Sequence, residues 1–175
     1  EGLDRLVAEM DRRLNGMDAR SVDGPVRLPI DRVFTMTGFG TIVTGTLWSG
    51  RIRTGEVLEV LPLQAQVRVR QVQRHGEQAE EVTAGSRTAL NLVGIAREAL
   101  ERGMVLATPA TFQPATLLDA RVRTLPSAPP LPHLARLRFY LGTAEVLCRM
   151  ALLDRDRLRP GEEALVQLRL ERPIV

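Results

Sequence analysis

Apolar residues recur at helical spacing near the start of the chain and alternate at strand spacing over most of the rest. The first set falls at positions i, i+3, i+4, i+7 and i+11, which predicts a helix of about four turns with one apolar face. Its members are Leu3, Leu6, Val7, Met10 and Leu14. Asn15-Gly16 follows as a helix stop. No partner for this face is evident in the pattern, so we expect residues 1–20 to be the terminal helix of a preceding domain.

From Val26 onward a period of two predicts strands, separated by Gly-centred turns such as residues 37–40. Val67 and Val69 share one face of a predicted strand whereas Val72 falls on the other, which predicts a bulge near Gln71. A short helical turn is expected over 95–102. The spacing of these short strands predicts a closed barrel over residues 25–109.

A linker follows over 108–114, and a second β pattern begins after it. Strands are predicted over 116–124, 135–140, 143–152 and 164–170. The loop 126–133 carries prolines at 126, 129, 130 and 132, so it forms neither helix nor central strand. Residues 115–175 are expected to form a second barrel whose closing strand lies beyond Val175, which leaves an exposed edge. The predicted fold is all-β: two consecutive small barrels preceded by one α-helix.

Composition narrows the class of protein. Hydrophobic residues make up 44% but aromatic residues only 3%, so the cores must be aliphatic. No run of about 18 apolar residues occurs, so we expect no membrane span. Cys148 is the single cysteine and is expected in a core, which fits a reducing cytoplasm. The 24 cationic side chains are all Arg, and the net charge of +3 permits an RNA partner without establishing one.

Motifs of catalysis are missing. A phosphate-binding loop of the G-x-x-x-x-G-K-[ST] type needs a lysine, and the sequence has none. His75 and His133 stand alone, so no metal site is expected. Glu80-Glu81 is interpreted as a solvated pair. We therefore expect no catalytic residues and no enzymatic activity in this chain.

Four segments carry a family resemblance: L-P-I-D-R-V-F (28–34), T-G-F-G-T-I-V-T-G-T (37–46), A-G-S-R-T-A-L-N-L (84–92) and L-G-T-A-E-V (141–146). Together they resemble domains II and III of the translational GTPases that carry aminoacyl-tRNA, and within these the selenocysteine-specific elongation factors, the SelB group. The resemblance implies that a parent protein binds selenocysteyl-tRNA and the ribosome as a cytoplasmic monomer. It also implies GTP and Mg²⁺ in a nucleotide-binding domain outside this chain, and no cofactor within it.

Factors of this group hold the selenocysteyl side chain with an Asp-Arg pair and a second Arg. The matching positions are Asp31, Arg32 and Arg87. A selenol is more acidic than a thiol, whose reference pKa is about 8.5, so it is largely anionic near neutral pH. Two guanidinium groups favour that anion, and the carboxylate neutralises and orients them. Taken alone, the same residues also fit a turn pair and a surface arginine.

The resemblance suggests a weaker set of tRNA contacts in the second barrel. Arg136, Arg138, Tyr140 and Arg149 are its members. Relatives often have His where this chain has Tyr140, which leaves the role of that position open. Trp48 is interpreted as a packed or lid residue rather than a base-stacking platform.

Three other functions fit the same pattern. The fold also serves general elongation and initiation factors, which bind other aminoacyl-tRNAs. The GTPase subunit of ATP sulfurylase shares it and binds a protein partner. A scaffold with only protein partners is the third.

Overall fold

The computed structural model describes residues 2–16, 22–74 and 76–175. Within them one α-helix is followed by β-strands and a single 3₁₀ turn, which confirms the predicted all-β class with an N-terminal helix. The strands of the first half are β1 (Arg27–Met36), β2 (Gly40–Thr46), β3 (Arg51–Arg53), β4 (Val57–Leu61), β5 (Ala65–Arg74), β6 (Glu77–Ala79), β7 (Glu81–Thr83), β8 (Arg87–Val93) and β9 (Val105–Ala107). Those of the second half are β10 (Ala115–Arg123), β11 (Leu131–Pro132), β12 (Ala135–Leu141), β13 (Ala144–Leu152), β14 (Arg157–Leu158) and β15 (Glu163–Ile174).

Helix α1 spans Gly2–Leu14 and ends where Asn15-Gly16 predicted. Its apolar face, which begins at Leu3 and ends at Leu14, is exposed along its whole length. The periodicity of the sequence predicted this helix correctly. Its apolar face is not buried against any described residue, so burial of that face does not stabilise the helix here. Its origin in a preceding domain stays a prediction. Among the described residues, no helix has the length and apolar character that crossing a membrane requires.

The first barrel is a closed ring of strands in the order β4-β9-β1-β2-β8-β5, with β5 pairing back onto β4. Its interior is filled with aliphatic side chains, as the scarcity of aromatic residues requires. The largest fully buried ones include Leu28, Ile30, Leu58, Leu90 and Leu106. Closure of the ring leaves no free edge among these six strands.

The predicted bulge in β5 is confirmed. The pairing of β5 with β8 shifts between Val69 and Gln71. The extra residue returns Val72 to the core face, so Val67, Val69 and Val72 are all buried. The prediction of a helical turn over 95–102 was wrong in extent, because only Arg97–Ala99 forms a 3₁₀ turn.

The second half forms a four-stranded sheet, β10-β15-β13-β12, with a two-stranded ribbon of β11 and β14 beside it. We call this unit the second barrel after the sequence-based expectation, although its strand order does not close in the described residues and closure stays a prediction. Its core alternates along β13, where Val146, Cys148 and Met150 are buried. The proline-rich loop contributes only β11, which pairs with β14 alone. The expectation that a closing strand lies beyond Val175 stays a prediction.

Arg27 holds the two barrels together. Its guanidinium carbon lies 5.1 Å from the centroid of the Trp48 ring and 5.5 Å from that of Phe112. Its Nη2 donates to the Val175 carbonyl oxygen over 2.7 Å. These contacts combine cation–π attraction with a charge-assisted hydrogen bond. They also place Trp48 as a packed residue, as the sequence predicted.

Candidate functional site

A bulge in β1 shapes the first candidate site. Opposite β2, Ile30 pairs with Gly45 while Arg32 pairs with Thr44, so Asp31 is the extra residue. Ile30 fills the core, whereas Asp31 is half-buried and Arg32 is exposed. The bulge therefore turns a carboxylate and a guanidinium away from the core at adjacent positions.

Arg87 meets this bulge from β8. Strand β8 begins at Arg87, which pairs with Thr46 of β2, and β2 in turn pairs with β1. Arg87 Nη2 lies 3.1 Å from Asp31 Oδ2 and donates to it. The side chain of Asp31 is 24% exposed and that of Arg87 is 54% exposed. Such a partly open ion pair contributes little to stability, so its guanidinium is free to exchange partners with a ligand.

The cleft beside this pair lies between the two barrels. It measures about 160 Å³ and is lined by Pro29, Asp31, Thr46, Trp48, Arg87, Gly142 and Thr143. The structure thus brings Asp31 and Arg87 together, while Arg32 is not among the residues that line the cleft. The role of all three in binding stays a prediction.

Arg102 is a second guanidinium near the same carboxylate. Its Nη2 lies 3.9 Å from Asp31 Oδ1, and its Nε donates to the Thr143 carbonyl oxygen over 3.3 Å. Sequence reasoning missed this residue. No spacing or motif links positions 31 and 102, because only the pairing of β9 with β1 brings them together.

A second depression lies at the end of the barrel where the β1–β2 turn meets β5 and β8. It is lined by Met36, Phe39, Ile42, Gln71, Gln73, Ala89 and Asn91. Gly38 and Gly40 form this turn with φ of 83° each, in agreement with their predicted role in turn geometry. Asn91 is 5% exposed, and its Oδ1 is buried without a hydrogen-bond partner in the structure. A buried acceptor without a partner is costly and is commonly satisfied by a ligand or water.

A third depression joins the other two. It shares Gln73 and Ala89 with the depression at Asn91, and it shares Arg87 with the inter-barrel cleft. A continuous surface therefore runs along β8 from a partly apolar depression at Asn91 to the charged cleft at Asp31 and Arg87.

The predicted contacts of the second barrel lie on the exposed face of its sheet. Arg136 and Arg138 alternate with half-buried positions along β12 and form ion pairs with Glu171 and Glu145, at 3.0 and 3.1 Å. A hydrogen bond with Tyr140, and secondarily the charge of Glu145, raises the pKa of Arg138. Arg149 stands directly between Arg136 and Arg169 on neighbouring strands. Like charges placed opposite each other repel, so this row favours an anionic partner.

Metal-binding chemistry finds no support in the described residues. They contain no group of three or more His, Cys, Asp and Glu side chains that could hold an ion. His133 Nδ1 lies 3.2 Å from the Leu152 N–H and accepts from it, which gives the ring a structural role. His75 lies outside the described residues.

Comparison with known proteins agrees with this architecture. A family model described as elongation factor Tu domain 2 matches residues 40–107, which lie within the first barrel. The chain is 48% identical over 149 residues to a selenocysteine-specific elongation factor of Desulfomicrobium baculatum, an overlap of 85% of this chain and 24% of that protein. The chain belongs to the elongation factor Tu superfamily of translation factors. It is also 34% identical over 185 residues to elongation factor Tu 2 of Streptomyces avermitilis, covering 99% of this chain and 47% of that protein.

Membership of this superfamily confirms the resemblance read from the four sequence segments. The matched region contains β2 to β9, so it carries Arg87, Arg102 and most of the continuous surface along β8. Asp31 and Arg32 lie just before it on β1. The chain spans less than half the length of either relative, so what a complete factor does is a matter for proposal.

Proposed function

We propose that this chain forms the tRNA-binding barrels of a selenocysteine-specific elongation factor, which delivers selenocysteyl-tRNA to the ribosome. The observation that carries the proposal is the ion pair of Asp31 and Arg87 at the mouth of a cleft about 160 Å³ in volume. The 48% identity to a selenocysteine-specific factor supports the same choice.

The chemistry of the ligand explains the charges. Near neutral pH a selenocysteyl side chain carries a negative charge, whereas serine of the same shape is neutral. Arg87 is positioned to transfer a hydrogen bond from Asp31 to the selenolate. Arg32 directly follows Asp31 and is exposed, so its long side chain can turn toward the same anion. A seryl hydroxyl cannot compensate two guanidinium groups, and a mismatch of this kind is worth about a 10²-fold preference.

The rest of an aminoacyl-adenosine fits the continuous surface. The terminal adenine of the tRNA is proposed to rest against Met36 and Ile42, with its amino group donating to the free Oδ1 of Asn91. The ribose and ester then lie over Gln73 and Ala89. Arg87 is two residues before Ala89 on β8, about 7 Å away along the strand, which is within reach of a short side chain on that ester.

The second barrel is proposed to hold the tRNA backbone. Arg136, Arg138 and Arg149, with Tyr140 beside them, lie on one exposed sheet face. Phosphates can replace the carboxylate partners of Arg136 and Arg138 there. GTP and Mg²⁺ are proposed to bind in a separate domain of a complete, monomeric, cytoplasmic factor. This chain would then supply binding and specificity rather than catalysis.

A pair of matched ligands tests the proposal on the 175-residue chain itself. Selenocysteine or serine is joined by a stable amide to 3′-amino-3′-deoxyadenosine, and each ligand is titrated into the ¹⁵N-labelled chain under reducing conditions. Chemical-shift changes measure weak dissociation constants directly, and the Arg Nε–Hε signals report on the guanidinium groups. We expect the selenocysteyl ligand to bind at least about tenfold more tightly, a difference of about 1.4 kcal/mol.

The two ligands also separate the proposal from its nearest rival. A general carrier of aminoacyl-tRNA, which the similarity to elongation factor Tu 2 favours, would bind both ligands equally through the adenosine. Equal dissociation constants would therefore reject selenocysteine specificity. No binding by either ligand would reject the adenosine site as well.

A further inference from the structure

Ile30, the residue before the β1 bulge, is held by groups from both barrels. Its N–H donates to the Met104 carbonyl oxygen over 2.8 Å, and its carbonyl oxygen accepts from the Gly103 N–H over 3.0 Å. The same carbonyl oxygen accepts a second hydrogen bond from Thr143 Oγ1 of the second barrel, over 2.6 Å. The backbone that presents Asp31 is therefore fixed partly by the second barrel.

Arg102 makes the second connection between the barrels and the carboxylate. Its Nε bonds to the Thr143 carbonyl oxygen, and its Nη2 lies on the side of Asp31 opposite to Arg87, at Oδ1 rather than Oδ2. The side chain of Arg102 is 69% exposed, so the residue can be substituted without disturbing a core. Its position suits it to hold the carboxylate while Arg87 engages a ligand.

Two glycines allow the barrels to approach this closely. Gly142 has φ of 58°, and a Cβ at this position would lie 3.1 Å from Pro29 Cγ and from the Trp48 ring. Gly103 has φ of 96°, and its Cβ would lie 3.0 Å from the Ala144 Cα. The two barrels are therefore in close contact beside the cleft, and residues 142–143 form one of its walls.

We propose that the anion site is composite: the second barrel completes it through Thr143, and Arg102 is the positioning residue that orients Asp31. Docking of the barrels and occupation of the cleft are then coupled, and each favours the other to the same degree. The identity of the anion rests on the proposed function, whereas the control of the site by the second barrel does not.

A ligand-free measurement tests the coupling first. Thr143→Val removes the hydroxyl and keeps the branched shape, and Thr143→Ser restores the hydroxyl. We expect the Val variant to shift the Arg87 Nε–Hε signal and to change the relative orientation of the barrels measured by residual dipolar couplings. The Ser variant should resemble the wild type in both. If the Val variant leaves both unchanged while the chain remains folded, the composite site is overturned.

The role of Arg102 is tested by selectivity. Arg102→Gln should weaken the selenocysteyl ligand about fivefold or more and leave the seryl ligand unchanged, because only the anion senses the orientation of Asp31. Arg102→Lys should recover part of the loss. Arg53→Gln, which removes an exposed ion pair with Glu81 on another ribbon, is the matched control.

The outcomes are distinguishable. An equal loss for both ligands in Arg102→Gln would show a general structural effect and overturn the positioning role. A wild-type chain without preference for selenocysteine would reject the proposed function, while the ligand-free experiment would still decide whether the second barrel controls the site.

Discussion

Asn91 donates its side-chain N–H to the main-chain carbonyl oxygen of Phe39 over 2.7 Å, while its own Oδ1 is buried without a partner. The bond ties β8 to the turn between β1 and β2, so the amide has a fixed orientation. Asn91 lines a depression together with Met36 and Ile42. A buried acceptor of fixed orientation that lacks a partner suits a single donor such as an exocyclic amino group.

Replacing this amide should separate binding from stability. In Asn91→Leu, the lost hydrogen bond to Phe39 is offset by removal of the unsatisfied oxygen, so we expect the free energy of unfolding to change by less than about 1.5 kcal/mol. Both adenosine ligands should bind about tenfold more weakly, to the same extent. Urea unfolding and the NMR titration check these two values. Unchanged binding would exclude Asn91 from the adenine site.

Arg87 should matter for selectivity far more than for folding. Its ion pair with Asp31 is partly exposed, so Arg87→Gln should lower the free energy of unfolding by no more than about 1 kcal/mol. The preference for the selenocysteyl ligand over the seryl ligand should fall about tenfold. The Arg53→Gln variant should leave the preference intact. A full preference retained in Arg87→Gln would remove this residue from the site.

The ion pairs of Glu163 with Arg121 and Arg123 predict a pH dependence of stability. Hydrogen bonding to Arg123, and to a smaller degree to Arg121, lowers the pKa of Glu163 from its ordinary value of 4.5. The folded state therefore binds this proton less readily than the unfolded state. Its contribution is present above pH 4.5 and is lost as the pH falls through the lowered folded pKa.

Glu163→Gln tests this contribution. The variant should be slightly less stable than the wild type at pH 7, and the difference should vanish at about pH 2. Urea unfolding at both pH values checks the sign. A difference that grows on acidification would contradict the assignment.

Cys148 should be unreactive in the folded chain. The residue is 2% exposed, and loss of solvation by burial raises the pKa of its thiol above the ordinary 9.0. Because the thiolate is the nucleophile, alkylation by iodoacetamide at pH 8 should be slow and should accelerate on addition of urea. Rapid stoichiometric labelling of the native chain would show that the β13 core opens readily.

The sequence predicted best what depends on local periodicity. The β5 bulge could be predicted from Val67, Val69 and Val72 alone. When the alternation of apolar residues shifts by one position within a strand, an extra residue in that strand is the simplest way to keep all three on the core face. The ribbon of β3 and β7 was missed, since three-residue strands carry too few alternations to reveal a period. The proximity of Asp31 and Arg87 was expected only by resemblance. Arg102 was missed because the pairing of β9 with β1 brings it to Asp31. The role of Thr143 was missed because its bond to the Ile30 carbonyl oxygen forms only when the two barrels dock.

Gly142 offers the sharpest test of that docking. In Gly142→Ala the new methyl group faces a φ of 58° and also atoms of Pro29 and Trp48 at 3.1 Å. Gly161→Ala is the matched control, since its φ is 76° and nothing lies within 4 Å of the added Cβ. Both variants should lose about 1 kcal/mol through backbone strain.

Only Gly142→Ala should lose more, by about 1–3 kcal/mol of overpacking, because the ring of Trp48 is held by Arg27 and cannot move freely. Thermal unfolding of the two variants measures the difference. The barrels in Gly142→Ala should also reorient in residual dipolar couplings, while those in Gly161→Ala should not. Equal destabilisation of both variants would mean that the barrels separate at little cost, and the close approach of residues 142 and 48 would then not hold the cleft together.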